Sequence, residues 1–399
     1  MKKRIGILTG GGDVQALNAV ISEAKSVTNN FDVELIGFIK GWEGVLKENY
    51  IDLSTISFNS AIGGTILKTS RVNINKINNG IELVITSLKK NAITGLIVIG
   101  GEDTLSTSFL IKQFPMVLIS KTIDNDIGKV ENNNHYFRIE NFINYFTLGF
   151  PTAAEKIVSF VSLNEGLRTT AYSHERIIIV EAMGMHAGWL ALSSAIGYPD
   201  FIIIPEFPLN YNLLLEKIIK KYKSQKHLII VVAEGAKWKD GTYIYTDIYT
   251  EKGEIEEFGH PRFGGSALIL KNRLKKDLTK YFDTRNINSV NPSYLYRSGQ
   301  PNELDKFWAQ NLGETAVKYL VEIKNESCFL AIQKDKSGFK IQSFPLSKFN
   351  SFEELHRFVD ERFYDPKEFR ITEIGKKYLK EIVREIPLDE SYGFEPISN

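Results

Sequence analysis

Cysteine is almost missing from this 399-residue sequence: Cys328 stands alone. That excludes a disulfide within the chain and any cysteine-built metal cluster, and it suits a reducing compartment. A bias toward one charge sign is missing too. Lys and Arg number 49 against 48 Asp and Glu, a formal net charge of +1, so no overall field draws the chain to nucleic acid or to an anionic membrane, and any anion it handles is held locally. No apolar run approaches the roughly 20 residues of a membrane-spanning helix, and the run after Met1-Lys-Lys-Arg is too short for a signal sequence. Neither G-x-x-x-x-G-K-[ST] nor G-x-G-x-x-G occurs, which removes the P-loop and dinucleotide fingerprints. The expectation is a soluble cytoplasmic protein with no nucleic-acid or membrane partner.

What is present is 43% apolar and 24% charged residue, enough for two separate cores. RIGILT (4–9), VELIGFI (33–39), GLIVIG (95–100), MVLIS (116–120), RIIIVEA (176–182), FIIIPE (201–206) and HLIIVVAEG (227–235) read as buried strands. Helix-period segments lie between them, such as VQALNAVISEAKSV and NLLLEKIIKKYKS. That alternation predicts βαβ units with parallel sheets. Beyond residue 236 the pattern loosens to helices near 264–277 and 302–322, a strand at FLAIQ and a charged helical tail over 366–385. The polar stretch 130–145 reads as a surface loop or a mobile lid.

In parallel sheets ligands bind at the carboxyl ends of strands, so glycine-rich strand exits are the places to search. TGGGD (9–13) suits a phosphate held on backbone amides, and equally a plain strand-to-helix turn. SKTIDND places Lys121, Thr122, Asp124 and Asp126 at an exit. Carboxylates two apart in extended chain share a face, which suits a base and its assistant, or a divalent cation. GGTILKTSR offers Lys68 and Arg71, HER offers Arg176, and Glu206 at the exit of FIIIPE either meets sugar hydroxyls or caps a helix. At IGGED, Glu102 and Asp103 occupy a helix start, where an anion would normally bind.

Taken in order, ILTGGGD, GGTILKTSR, IGGEDTL, KTIDNDI, TLGFPTA, SHERIIIVEAMGMHAGW, IPE and AEG resemble the phosphofructokinase family from residue 4 to about 235. The resemblance implies an α/β protein with two Rossmann-like parallel-sheet lobes and the active site in the cleft between them. It implies a donor lobe over 1–146, with part of 297–350 returning to it, a sugar-phosphate lobe over 147–296, and a C-terminal helical extension over 350–399. Of two segments competing for the last sugar-binding motif, NPSYLYRSGQPNELDKFW fits better, with Tyr294, then Arg297, then Asp305 opening a helix. FGHPRFGGS (258–266) has Phe263 three residues after His260 and is left as a connecting segment.

By the same resemblance Asp124 is the base toward the C1 hydroxyl of fructose 6-phosphate, Asp126 assists it, and Lys121 and Arg71 stabilise the transferring group. Gly11, Gly12, Asp103 and Thr122 bind the donor phosphate, and Glu102 and Asp103 hold Mg²⁺. Thr122, Asp124, Asp126, Arg176, Met183, Gly184, Glu206, Glu234, Tyr294 and Arg297 bind the sugar phosphate. ATP-using relatives typically carry Gly where Asp103 stands, and many carry Gly at Lys121. The Asp and Lys pair therefore resembles the pyrophosphate-dependent branch, in which the donor is pyrophosphate and the enzyme a pyrophosphate-dependent 6-phosphofructokinase.

Several positions depart from the family pattern. Gln15 and Ala16 stand where Pro-Gly is common while Asn18 is retained, Met185 replaces an Arg, and Asn288 replaces a basic residue used on the 6-phosphate. Arg285, or a residue of 130–145, is the expected substitute. Three alternatives stay open: another acceptor such as sedoheptulose 7-phosphate, ATP as donor, or a non-catalytic regulatory paralogue. A homodimer or homotetramer is expected, with Arg176 acting across an interface.

Overall fold

The computed structural model describes residues 2–111, 113–129, 142–245, 264–322 and 326–386. In chain order the strands are β1 (Lys3–Thr9), β2 (Val33–Phe38), β3 (Tyr50–Asp52), β4 (Ile93–Gly100), β5 (Met116–Thr122), β6 (Leu148–Gly149), β7 (Ile177–Ala182), β8 (Phe201–Ile203), β9 (Leu228–Ala233), β10 (Ile287–Val290), β11 (Cys328–Asp335), β12 (Gly338–Pro345), β13 (Tyr364–Asp365) and β14 (Arg370–Ile371). They belong to two compact units. One comprises Met1–Thr152 and Arg297–Arg357, the other Ala153–Tyr296 and Phe358–Asn399.

The first unit is built on an eight-stranded sheet of order β12-β11-β5-β4-β1-β2-β3, with β6 beside β5. Its centre is parallel, and the antiparallel strands β3 and β12 close the two edges. Ile5, Ile7, Leu8, Ile97, Val98, Ile99, Val117, Leu118 and Ile119 are fully buried, which is why these strands read as unbroken apolar runs: both faces of the sheet are covered. The helices Leu17–Thr28 and Glu303–Glu322 pack on each other in this unit. Because β1, β4 and β5 are parallel neighbours, their carboxyl ends meet at one edge and bring TGGGD, GGED and KTIDND together.

The second unit has a four-stranded, all-parallel sheet of order β10-β7-β9-β8. Ile179, Ile230, Leu214, Ile218, Leu270 and Leu274 lie in its core. The exits of β7, β9 and β8 carry Met183 and Gly184, Glu234, and Glu206 respectively.

Three expectations need correction. The tail 366–385 is not one helix: β13 and β14 pair as a hairpin, and a helix runs only over Glu373–Lys380, started by Thr372, whose hydroxyl accepts from the Gly375 amide at 3.2 Å. Of the stretch 350–399, the described residues 350–386 are likewise divided, those up to Arg357 going to the first unit and those from Phe358 to the second. Finally, the end of the 130–145 segment is core rather than lid. Phe142, Ile143, Asn144 and Tyr145 are buried, and the Tyr145 amide donates to the Ile332 carbonyl at 2.6 Å. Residues 130–141 and 246–263, including most of FGHPRFGGS, lie outside the described residues.

Candidate active site

In the first unit the turn after β1 is shaped for two cations. Gly11 sits at φ +76, where a side chain would be strained, and a Cβ there would stand 3.2 Å from Lys121 Nζ. A Cβ on Gly12 would stand 2.9 Å from Arg297 Nη1. Glycine at both positions therefore lets Lys121 and Arg297 close on the turn. Lys121 is buried and its Nζ donates to the Gly12 carbonyl, while Arg297 Nη1 donates to the Asp13 carbonyl at 3.3 Å.

Burial, and next the positive charge of Arg297, bring the Lys121 ammonium down to a pKa of about 7; Arg71 acts in the same direction, Asp13 and Asp103 against it. A lysine poised there gains charge stabilisation when a phosphate arrives. Asn18 anchors the neighbouring loop, donating to the Ile62 carbonyl at 2.9 Å and accepting from the Ile66 amide at 2.9 Å. Gln15 is fully buried, with its side-chain amide donating to the Ser298 carbonyl at 3.1 Å. This accounts for a polar residue at the position where Pro is common.

The acid pair is held differently from the extended-chain expectation. β5 ends at Thr122, Ile123 and Asp124 form a turn, and Asn125 is left-handed at φ +54, a conformation Asn tolerates better than most residues. The turn is tied by the Asp124 amide, which donates to Thr122 Oγ1 at 3.1 Å. Burial first, and then the charge of Asp124, push Asp126 up to a pKa of about 7; Glu102 adds to the rise, and His356 opposes it. Asp126 Oδ1 is shut away from solvent with no hydrogen-bond partner among the described residues. A buried, unmatched carboxylate oxygen beside a second carboxylate marks a place for a proton or a ligand.

Glu102 and Asp103 occupy the first turn of the helix Glu102–Leu110 and are exposed. Acids there face the positive end of the helix dipole. Glu102 Oε1 lies 3.3 Å from His356 Nε2, and that contact raises the histidine's pKa against the effect of burial. Among the described residues no group of three or more His, Cys, Asp or Glu forms a self-contained metal cage. Two carboxylates at a helix start fit an ion that takes its other ligands from water and phosphate oxygens, as Mg²⁺ does.

In the second unit, Glu206 Oε1 accepts from the amides of Gly188 and Val359, each at 2.9 Å, while its Oε2 is buried without a partner among the described residues. Burial raises its pKa to about 7. Glu234 Oε1 accepts from the Gly184 amide at 3.0 Å. Met183, Gly184, Glu206 and Glu234 thus share the carboxyl edge of the sheet. Arg176 does not join them. It precedes β7, about 20 Å away at a strand rise of ~3.3 Å per residue, and donates to the Thr170 carbonyl at 3.3 Å. Tyr294 is 72% exposed. Asn288 is exposed on the edge strand β10, and Arg285 is no ready substitute for it, being exposed and bonded through Nε to both Asp283 oxygens at 3.1 and 2.8 Å.

Sequence reasoning missed His356 and Arg357. Both reach the acid turn from a segment with no recognisable motif, and Arg357 lies 232 residues after Asn125. Pattern reading along the chain has no handle on a contact of that separation.

Comparison with known proteins identifies the family. The phosphofructokinase family pattern matches residues 4–320. A pyrophosphate–fructose 6-phosphate 1-phosphotransferase of Dictyoglomus thermophilum is 36% identical over 338 residues, covering 83% of this chain and 90% of that protein. ATP-dependent 6-phosphofructokinase 3 of Streptomyces coelicolor is also 36% identical, over 323 residues, covering 79% of this chain and 86% of the other. A solved structure titled a pyrophosphate-dependent phosphofructokinase from Marinobacter aquaeolei shares the fold with a TM-score of 0.76 at 20% identity, covering 99% of this chain and 95% of its own. The chain belongs to the phosphofructokinase family and is an enzyme of that family. No helix among the described residues is long and apolar enough to cross a membrane.

Proposed function

We propose that this enzyme transfers a phosphoryl group, reversibly, from pyrophosphate to the C1 hydroxyl of fructose 6-phosphate. The observation that carries the donor choice is the buried Lys121, held on the Gly12 carbonyl and electrostatically coupled to Asp103. A carboxylate at 103 opposes the inner phosphate of a nucleotide, and an ammonium at 121 balances the charge of a bare inorganic donor. Asp124 takes the proton from the attacking hydroxyl, with Asp126 sharing that proton across the pair. Lys121, Arg71, Arg297 and the Gly12 amide stabilise the charge on the transferring group, Gly11 keeps the turn open to it with its own amide donated to the Ser70 carbonyl at 3.2 Å, and Thr122 positions it. Glu102 and Asp103 would hold Mg²⁺, which supplies charge neutralisation on the donor oxygens.

The sugar phosphate is held by Met183, Gly184, Glu206 and Glu234 with Tyr294. The distance of Arg176 from that edge supports its action in a neighbouring subunit of a homodimer or homotetramer. The test offers pyrophosphate and ATP separately to the purified protein, with fructose 6-phosphate or sedoheptulose 7-phosphate as acceptor. Bisphosphate formation with pyrophosphate and fructose 6-phosphate is expected. Turnover with ATP alone overturns the donor assignment, and turnover with sedoheptulose 7-phosphate alone overturns the acceptor.

A further inference from the structure

We infer that Arg357 is a positioning residue for the Asp124–Asp126 pair, its guanidinium clamping the left-handed Asn125 that lies between them. The inference rests on the reading of those two acids as the reacting carboxylates.

The Arg357 side chain is buried, and its donors converge on the acid turn. Nε and Nη2 donate to the Asn125 carbonyl at 3.0 and 2.8 Å, and Nη2 also donates to Asn125 Oδ1. Nη1 reaches the carbonyls of Asn144 and Tyr145 at 2.6 and 3.1 Å. The Phe142 ring covers the guanidinium, 4.7 Å from Cζ to the centroid. The backbone of the same segment brackets the turn. Arg357 N donates to the Asp126 carbonyl and Gly128 N to the Leu355 carbonyl, each at 2.7 Å, while Ile127 and His356 pair as an antiparallel bridge.

Burying a guanidinium gains little stability over an apolar side chain of similar size. What a guanidinium supplies here and an apolar group cannot is a rigid set of donors aimed at one carbonyl. Asn125 is thereby kept at positive φ with its Oδ1 also receiving the Thr147 amide at 3.1 Å. Rotation of that one residue would swing Asp126 relative to Asp124, since the two flank it directly. The clamp therefore fixes the separation on which their shared proton depends, without itself touching a substrate.

The test compares Arg357→Met, Asn125→Ala and the double variant in the full-length protein. Misaiming a catalytic group by about 1 Å costs on the order of 100-fold in rate, so kcat of Arg357→Met is expected to fall ~30- to 100-fold with each KM within threefold. Asn125→Ala should show the same split, and the double variant should lose no more than the worse single one, because both remove one constraint. Unchanged kcat, a loss carried by KM, or losses that multiply would overturn the clamp. If Arg357→Met does not fold, Asn125→Ala decides alone, and unchanged kcat there overturns it. Wild-type activity with unaffected variants removes the clamp and leaves the proposed function standing. A wild type silent with every donor and acceptor overturns both.

Discussion

The Nζ of Lys121 donates to the carbonyl of Gly12, joining the end of β5 to the turn after β1 inside a site that holds Arg297 as well. An ammonium in such a place is costly without an anion, and burial holds its pKa at about 7. Between that value and its ordinary one near 10.5, the unfolded chain binds a proton that the folded chain does not. Stability contributed by this group therefore rises with pH across that window. Lys121→Met should be more stable than wild type at pH 7, the gap closing toward pH 10.5 and levelling off below 7. Unfolding midpoints of both proteins over that range check it, and a gap independent of pH would remove the lysine from this account.

Donor preference should move with the same residue. Asp103→Gly combined with Lys121→Gly is expected to raise kcat/KM with ATP relative to pyrophosphate. Parallel assays with the two donors decide it, and an unchanged ratio would show that another part of the site selects the donor.

Asp124→Asn keeps the size of the proposed base and deletes its proton affinity. Turnover should fall roughly 10²- to 10⁴-fold, the usual range for a positioned acid–base group. A loss under about tenfold would take Asp124 out of that role.

The coupling within the acid pair gives a pH signature. Asp126 is raised to about 7 by burial and by Asp124, so the pair retains a proton as pH falls below neutrality, and the acid limb of kcat/KM should lie near 7. Asp126→Asn removes the neighbouring charge and should move that limb toward ordinary carboxylate values. A limb that stays in place would show that another group governs it.

The sequence made the sheets and the strand exits legible because both follow from local rules. Runs such as GLIVIG and HLIIVVA are apolar throughout where both faces are covered, and glycines mark the exits between them. Lys121, Asp124, Glu102 and Glu206 were found that way. β12 was not, since Gly338–Pro345 is an edge strand of mixed exposure whose place is set by pairing with β11. Nor was the left-handed Asn125, for which the alternation rule gave an extended chain. Arg357 was invisible for a third reason: its role exists only through partners more than 200 residues away in sequence.

The pairing of β11 with β5 has a consequence during synthesis. Cys328, Phe329 and Leu330 align with Val117, Leu118 and Ile119, 211 residues earlier. Until the ribosome has delivered β11, that flank of β5 is an open, strongly apolar strand edge, the kind of template on which nascent chains aggregate. Closing so long a loop is slow, so the first unit reaches its native sheet only after most of the second has emerged, and shielding of that edge by a chaperone should raise the yield of refolding.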